Sequence, residues 1–309
     1  MRTASNTGDR SALGPASNVP GDAAGGGPTT LHWAALIAGN IALALGPWSV
    51  RLADSGPVAA GFWRLALALP ILWLIARRAG EPVLGVPRRA AWLVALGALA
   101  FAFDLASWHI GIEFTRLGNA TLFGNAGSIV LLFWGILVAR VMPARAEWAA
   151  IVLALGGAAI LLGRSAEISA STLMGDLFCI TAGLLYAVYL LCLQDARKGL
   201  GGWALLVRVC LVAAPVLLSV AWLRGEPIWP RDWTPLVVLA ILSQVVGQGL
   251  LVFALRAFPP MIIGLALLMQ PAVAVAYGFL AFGEVLRPLD TVGMAMLGAA
   301  LAVARARMR

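Results

Sequence analysis

Apolar stretches of about twenty residues recur along the chain, near 31–50, 56–76, 90–110, 117–139, 146–163, 173–194, 203–223, 233–255, 260–282 and 289–304, with short polar or turn-forming segments between them. A helix rising 1.5 Å per residue needs roughly 20 such residues to cross about 30 Å of hydrocarbon. The pattern predicts an all-α integral membrane protein with ten transmembrane helices. Almost nothing remains between the helices to form a soluble catalytic domain. The first thirty residues are rich in Gly, Ala, Ser and Pro and show no apolar period. They read as a disordered cytoplasmic tail, not as a signal peptide, because the polar stretch is too long for an n-region and the run that follows is long enough to span.

Composition supports the same solvent. Of 309 residues 61% are hydrophobic and 12% charged, about half the charged share of an ordinary soluble domain. Cys179, Cys192 and Cys210 fall inside apolar runs and suit small buried side chains better than disulfides. The net charge of +8 acquires meaning only from its placement. With the N-terminus inside, fourteen Lys and Arg lie in inside segments, six lie in outside loops, and Arg64 and Arg208 lie within helices two and seven. That asymmetry follows the positive-inside rule and puts both termini in the cytoplasm, with the bilayer of the inner (plasma) membrane as the partner of the apolar surface. It is not a nucleic-acid footprint.

Sliding the chain against itself by 143 to 144 residues aligns WLVALGAL (92–99) with PLVVLAIL (235–242), Gly135 with Gly278, and Arg64 with Arg208. The chain therefore reads as a duplicated five-helix unit, 31–163 and 173–305. Because five is odd, the second copy must enter the membrane from the opposite side. The result is a pair of inverted repeats, an arrangement in which transporters bind substrate near the midplane.

LMQPAVAVAYGFLAFGEVLRPLD (268–290), GMAMLGAALAVAR (293–305), LALGGAAILLG (153–163) and the paired arginines resemble the EamA repeats of the drug/metabolite transporter superfamily. The resemblance covers nearly the whole chain from residue 31. It departs in the first half, where Ser128 and Val141 stand in place of Pro271 and Glu284. It implies a ten-helix exporter of metabolites or drugs, with amino-acid exporters, including the aromatic amino-acid exporters of the YddG type, as the nearest match, and hence amino acids, aromatic or broadly apolar ones among them, as substrates. A drug or organic-cation exporter is the alternative within transport. A membrane-embedded lipid enzyme or a scaffold is the alternative outside it.

Polar side chains at hydrocarbon depth are costly unless paired, so they face the bundle interior or a wet cavity. Gln244 and Gln248 stand at i and i+4 on helix eight, and Asp104 and Trp108 stand likewise on its repeat mate, helix three. Asn119, Thr121, Asn125 and Ser128 mark helix four; Gln270 precedes Pro271 on helix nine; Asn40 lies within helix one and Tyr186 within helix six. Asn40, Asp104, Trp108, Asn119, Asn125, Tyr186, Gln244, Gln248 and Gln270 are the expected lining of a central substrate cavity. Asp104 could bind a substrate amine, carry a proton or neutralise an arginine, and an ion pair with Arg64 or Arg208 is the favoured expectation, since charges at this depth usually pair. Arg64, Arg208 and Pro271 are expected to be structural, Pro271 by removing a backbone hydrogen bond near residue 267. His109 reads as a helix-end hydrogen-bonding residue. No nucleotide-binding or metal motif is present, so no cofactor is expected. Partners are a small-molecule substrate and the lipid bilayer, and a monomer is plausible.

Overall fold

The computed structural model describes residues 27–308 except 116, 164–168 and 284. Most of the expected tail, and Glu284, thus lie outside the described residues. Ten helices are long and apolar enough to cross a membrane: α1 (Thr30–Leu52), α2 (Pro57–Arg78), α3 (Arg88–Phe114), α4 (Asn119–Ala139), α5 (Arg145–Gly163), α6 (Leu173–Ala196), α7 (Gly202–Leu223), α8 (Thr234–Ala254), α9 (Pro260–Leu280) and α10 (Pro288–Arg307). No strand occurs among the described residues. Helices satisfy their backbone internally, which is what hydrocarbon demands. The two ends of the chain share a face, for the Met308 carbonyl lies 3.1 Å from where a Cβ on Gly27 would stand.

The boundaries follow local chemistry. Pro57, Pro235, Pro260 and Pro288 sit in the first turns of their helices, where a missing N–H costs nothing. Gly80 and Gly225 end α2 and α7 with φ of 69° and 68°, a left-handed conformation that glycine adopts without a Cβ penalty.

Packing follows an internal two-fold. The repeat mates α2 and α7, α4 and α9, and α5 and α10 pack against one another, while α3 packs on α6 as α1 packs on α8. The axis therefore runs between mates, as inverted repeats require. Glycines let these helices approach closely. A Cβ on Gly157 of α5 would stand 2.7 Å from the Gly293 carbonyl of α10, and one on Gly39 of α1 would stand 3.1 Å from the Gly247 carbonyl of α8. The buried stripe Ala150, Ala154 and Ala158 lies on α5 as well, in keeping with close helix packing in lipid.

Several helices are not continuous. α4 breaks at Asn125, and its mate α9 breaks at Leu268 and Met269, just before Gln270 and Pro271. α1 breaks at Leu45, ahead of Pro47. Within α8, Ala240–Gln248 is wound as a π-helix, a form that appears frequently at functional sites. Irregular backbone at membrane depth persists where it lines a cavity or is buried in protein. Pro70 and Pro215, by contrast, lie inside unbroken helices.

Candidate functional site

The interrupted segments surround a cavity of about 190 Å³. The first repeat supplies Arg64, Phe101, Asp104, Leu105, Trp108 and His109, with parts of the Leu43–Val50 and Ala120–Asn125 segments; the second supplies Ala182, Gly183, Tyr186, Leu239, Ser243, Gln248, Gln270 and Ala274. These lie toward the C-terminal ends of α1 and α3 and toward the N-terminal ends of α2, α4, α6 and α8. The cavity thus occupies the half of the bundle remote from the chain termini.

The opposite half is packed shut. Phe101 and Tyr189 stack with centroids 4.4 Å apart, and Trp33 meets Phe258 edge-on at 4.6 Å. Gln194 Nε2 donates to the carbonyls of Leu255 at 3.2 Å and Phe258 at 2.7 Å, tying α6 to the end of α8. Tyr189 is fully buried and donates its hydroxyl to Gln248 Oε1 at 3.1 Å.

Of the residues singled out above, Asp104, Trp108, Asn125, Tyr186, Gln248 and Gln270 come together on the cavity wall. Gln248 is oriented from both sides, since its Nε2 also donates to the Tyr186 hydroxyl at 3.4 Å. Asn125 turns its amide back to the Thr121 carbonyl at 2.6 Å, at the break in its own helix, and accepts from Ser128 Oγ at 3.4 Å.

Three residues sit elsewhere. Asn40 donates to the Leu36 carbonyl one turn below at 2.8 Å and is buried beside the close approach of α1 to α8, with its Oδ1 unpaired. Asn119 donates to Asp176 Oδ1 at 3.1 Å, in a buried cluster where Thr115 and Thr172 also donate to that carboxylate at 2.6 and 3.1 Å. Gln244 is fully buried behind the wall, accepting from Arg64 Nε at 3.1 Å and facing Cys210 Sγ at 3.6 Å. An amide at membrane depth must find a polar neighbour, but that neighbour can equally be a helix backbone, a carboxylate or an arginine.

The arginines correct a second expectation. Arg64 and Asp104 both line the cavity, yet no ion pair or hydrogen bond joins them, and Asp104 makes none with any other described residue. Arg64 is held from behind instead, by Gln244 and by the Phe101 ring, whose centroid is 5.7 Å from the guanidinium carbon. Arg208 is spent at the opposite end of the bundle, donating to the carbonyls of Val83 at 2.8 Å and Pro82 at 2.6 Å. It cannot serve Asp104 from there. His109 bonds the Pro57 carbonyl through Nδ1, as a helix-end residue would, but its ring also forms part of the wall, and its buried Nε2 has no partner.

Sequence reasoning missed a duplicated turn that frames this site. Gly80-Glu81-Pro82-Val83 follows α2 and Gly225-Glu226-Pro227-Ile228 follows α7. Glu81 accepts from the Ala204 N–H at the start of α7, and Glu226 accepts from the Ala59 N–H at the start of α2, both at 2.9 Å. Each carboxylate caps the N-terminus of the other repeat's helix, where the helix dipole favours a negative charge. Gly56 and Gly201 precede those helices, and a side chain at either would collide with the capping glutamate. The repeated GEP tripeptide was the available signal.

Comparison with known proteins agrees with this architecture. The EamA-like transporter family matches twice, over residues 30–163 and 173–305. The threonine/homoserine exporter RhtA of Escherichia coli K12 is 29% identical over 211 residues, covering 67% of each chain. An uncharacterized transporter of Archaeoglobus fulgidus is 22% identical over 248 residues, 76% of this chain and 83% of that protein. A solved crystal structure superposes with a TM-score of 0.76 over 90% of this chain and 96% of the other at 16% identity, a likeness of fold alone. With two tandem matches that cover most of its length and a bundle built as two inverted five-helix repeats, this chain is a multi-pass membrane protein of the EamA-like transporter family.

Proposed function

We propose that this transporter exports amino acids as a secondary transporter, by alternating access to the cavity between its repeats. The observation that carries the reading is the cavity itself. It lies between the two inverted repeats, is walled by both, sets a few polar side chains in an apolar wall at membrane depth and is sealed on the terminus side by Phe101, Tyr189, Gln194 and Phe258. At about 190 Å³ it has room for on the order of six waters at roughly 30 Å³ each, the scale of a small amino acid. Relatives named as threonine/homoserine exporters support small amino acids as the substrate class.

The distribution of Lys and Arg supports cytoplasmic termini in the inner membrane. With that orientation the open cavity faces outward, and export requires the seal on the terminus side to part. Flux of radiolabelled threonine, homoserine, phenylalanine and an organic cation in liposomes holding this protein alone, with and without a pH gradient, tests the proposal. Counterflow of amino acids supports it, and flux of none of them overturns it. One observation favours the organic-cation alternative: Asp104 and Trp108 share the wall, an anion beside an aromatic face. Cation flux without amino-acid flux would establish that reading instead.

A further inference from the structure

The two arginines do different work, because they are not true repeat mates: Gly56 and Gly201, Pro70 and Pro215, and Gly80 and Gly225 are each 145 residues apart, which sets Trp63 against Arg208 and leaves Arg64 one position further along its helix. In the second repeat Arg208 Nε holds the duplicated turn through the Val83 carbonyl at 2.8 Å. The corresponding carbonyl of the other turn, that of Ile228, is held by the indole of Trp63 at 2.7 Å. Trp63 thus takes over the tether on its side of the molecule, and the neighbouring Arg64 is released into the cavity. Gln244 and Phe101 fix its Nε and one face of the guanidinium plane. Its terminal nitrogens hydrogen-bond to no described residue and are not among the buried unsatisfied atoms, so they look into the cavity. Asp104 looks into the same space, hydrogen-bonds to no described residue and has Arg64 as the opposite charge acting on it.

A buried charge left without a partner is strongly unfavourable, and two opposite charges held apart in one cavity gain little from each other until something bridges them. The chemistry that does so is a molecule carrying both signs a few bonds apart. Resting on the amino-acid reading above, we infer that Arg64 and Asp104 form a head-group clamp for α-amino acids. The guanidinium fork takes the carboxylate with two parallel hydrogen bonds, a match of planar shapes that lysine lacks. The Asp104 carboxylate takes the ammonium. One cation and one anion leave the clamp neutral, so a zwitterion satisfies it, whereas a cation or an anion alone leaves one buried charge unmatched. The side chain of the substrate is then directed at the remaining wall, which includes Leu43, Leu105 and Trp108.

The test is binding of L-threonine, its amino alcohol threoninol and N-acetyl-L-threonine to the purified full chain. On the unmodified protein the clamp requires threonine to bind at least tenfold tighter than either half-molecule, about 1.4 kcal/mol. That comparison needs no variant to fold. Arg64→Gln should weaken threonine at least tenfold and leave threoninol unchanged. Asp104→Asn should weaken threonine and threoninol and leave N-acetyl-L-threonine unchanged. Arg64→Lys, which keeps the charge but not the fork, should fall between. If threoninol or N-acetyl-L-threonine binds the unmodified chain as tightly as threonine, or if folded Arg64→Gln and Asp104→Asn keep threonine affinity within twofold, the clamp is wrong while amino-acid transport stands. If none of threonine, homoserine and phenylalanine binds or is transported, the amino-acid reading falls and takes the clamp with it.

Discussion

Gln248 shows how a single amide is fixed at the floor of the cavity. Tyr189 donates to its oxygen and its nitrogen donates to Tyr186, so its place is set by two hydroxyls on α6. Gln248→Leu removes both bonds and strands the Tyr189 hydroxyl in a fully buried position, which costs roughly 1 to 3 kcal/mol. Apparent substrate affinity should fall about tenfold and the melting temperature by several degrees, measurable by flux and by thermal unfolding of the same preparation. Gln244→Leu acts by another route. It removes the acceptor of Arg64 Nε, so transport should fall because the guanidinium swings from its place, although Gln244 lines no part of the cavity. Unchanged flux in that variant would show that Arg64 is positioned without it. These two glutamines also mark the limit of sequence reading at this scale. Their i, i+4 spacing and apolar surroundings announce a polar face on α8, but the step from that face to a cavity depends on what the neighbouring helices bring. Nothing near Gln244 in the sequence announces Arg64, 180 residues away. Asn40 and Asn119 lie off the cavity wall for the same reason, having found a carbonyl and a carboxylate as partners.

At the scale of elements, the helices and their inverted pairing were legible because hydrocarbon imposes one length and one kind of backbone satisfaction, and because duplication leaves Gly and Pro in register. The interruptions were less so. Pro271 and Pro47 announce breaks in α9 and α1, yet α4 breaks at Asn125 without any proline, and the π-turns of α8 carry no local signal. The equivalence of the arginines misled, since Trp63 rather than Arg64 is the working counterpart of Arg208. Two predictions belong here. Gly157→Leu drives a side chain against the Gly293 backbone of α10, where a Cβ would already be 2.7 Å from the carbonyl oxygen, so overpacking of about 1 to 3 kcal/mol should lower the melting temperature. Gly163→Leu at the end of the same helix, with no described residue within 4 Å of its Cβ, should leave it unchanged. Glu81→Gln and Glu226→Gln each weaken a helix cap, at roughly 0.5 to 2 kcal/mol apiece. Because the caps lie on opposite faces, their effects in the double variant should add within about 0.5 kcal/mol, and marked non-additivity would show that the two turns are coupled across the bundle.

For the molecule as a whole, the central claim is that one cavity between the repeats is reached alternately from the two faces of the membrane. The seal on the terminus side is built from a few aromatic contacts and the Gln194 bonds, with one ion pair at its exposed rim, Arg89 to Asp195 at 3.7 Å, which contributes little there. Such contacts can part at modest cost as the repeats rock about their shared axis. The most direct measurement places single cysteines at Ser243, on the cavity wall, and at Leu255, within the seal, in a chain whose three buried cysteines are replaced by alanine. Membrane-impermeant thiol reagents are then applied to each face in turn. Without substrate, Ser243→Cys should react from the face remote from the termini and Leu255→Cys should be protected. During threonine counterflow, Leu255→Cys should become reactive from the terminus face while labelling of Ser243→Cys slows. Reaction of both cysteines from the same face, or labelling that threonine leaves unchanged while it is being transported, would contradict alternating access through this cavity.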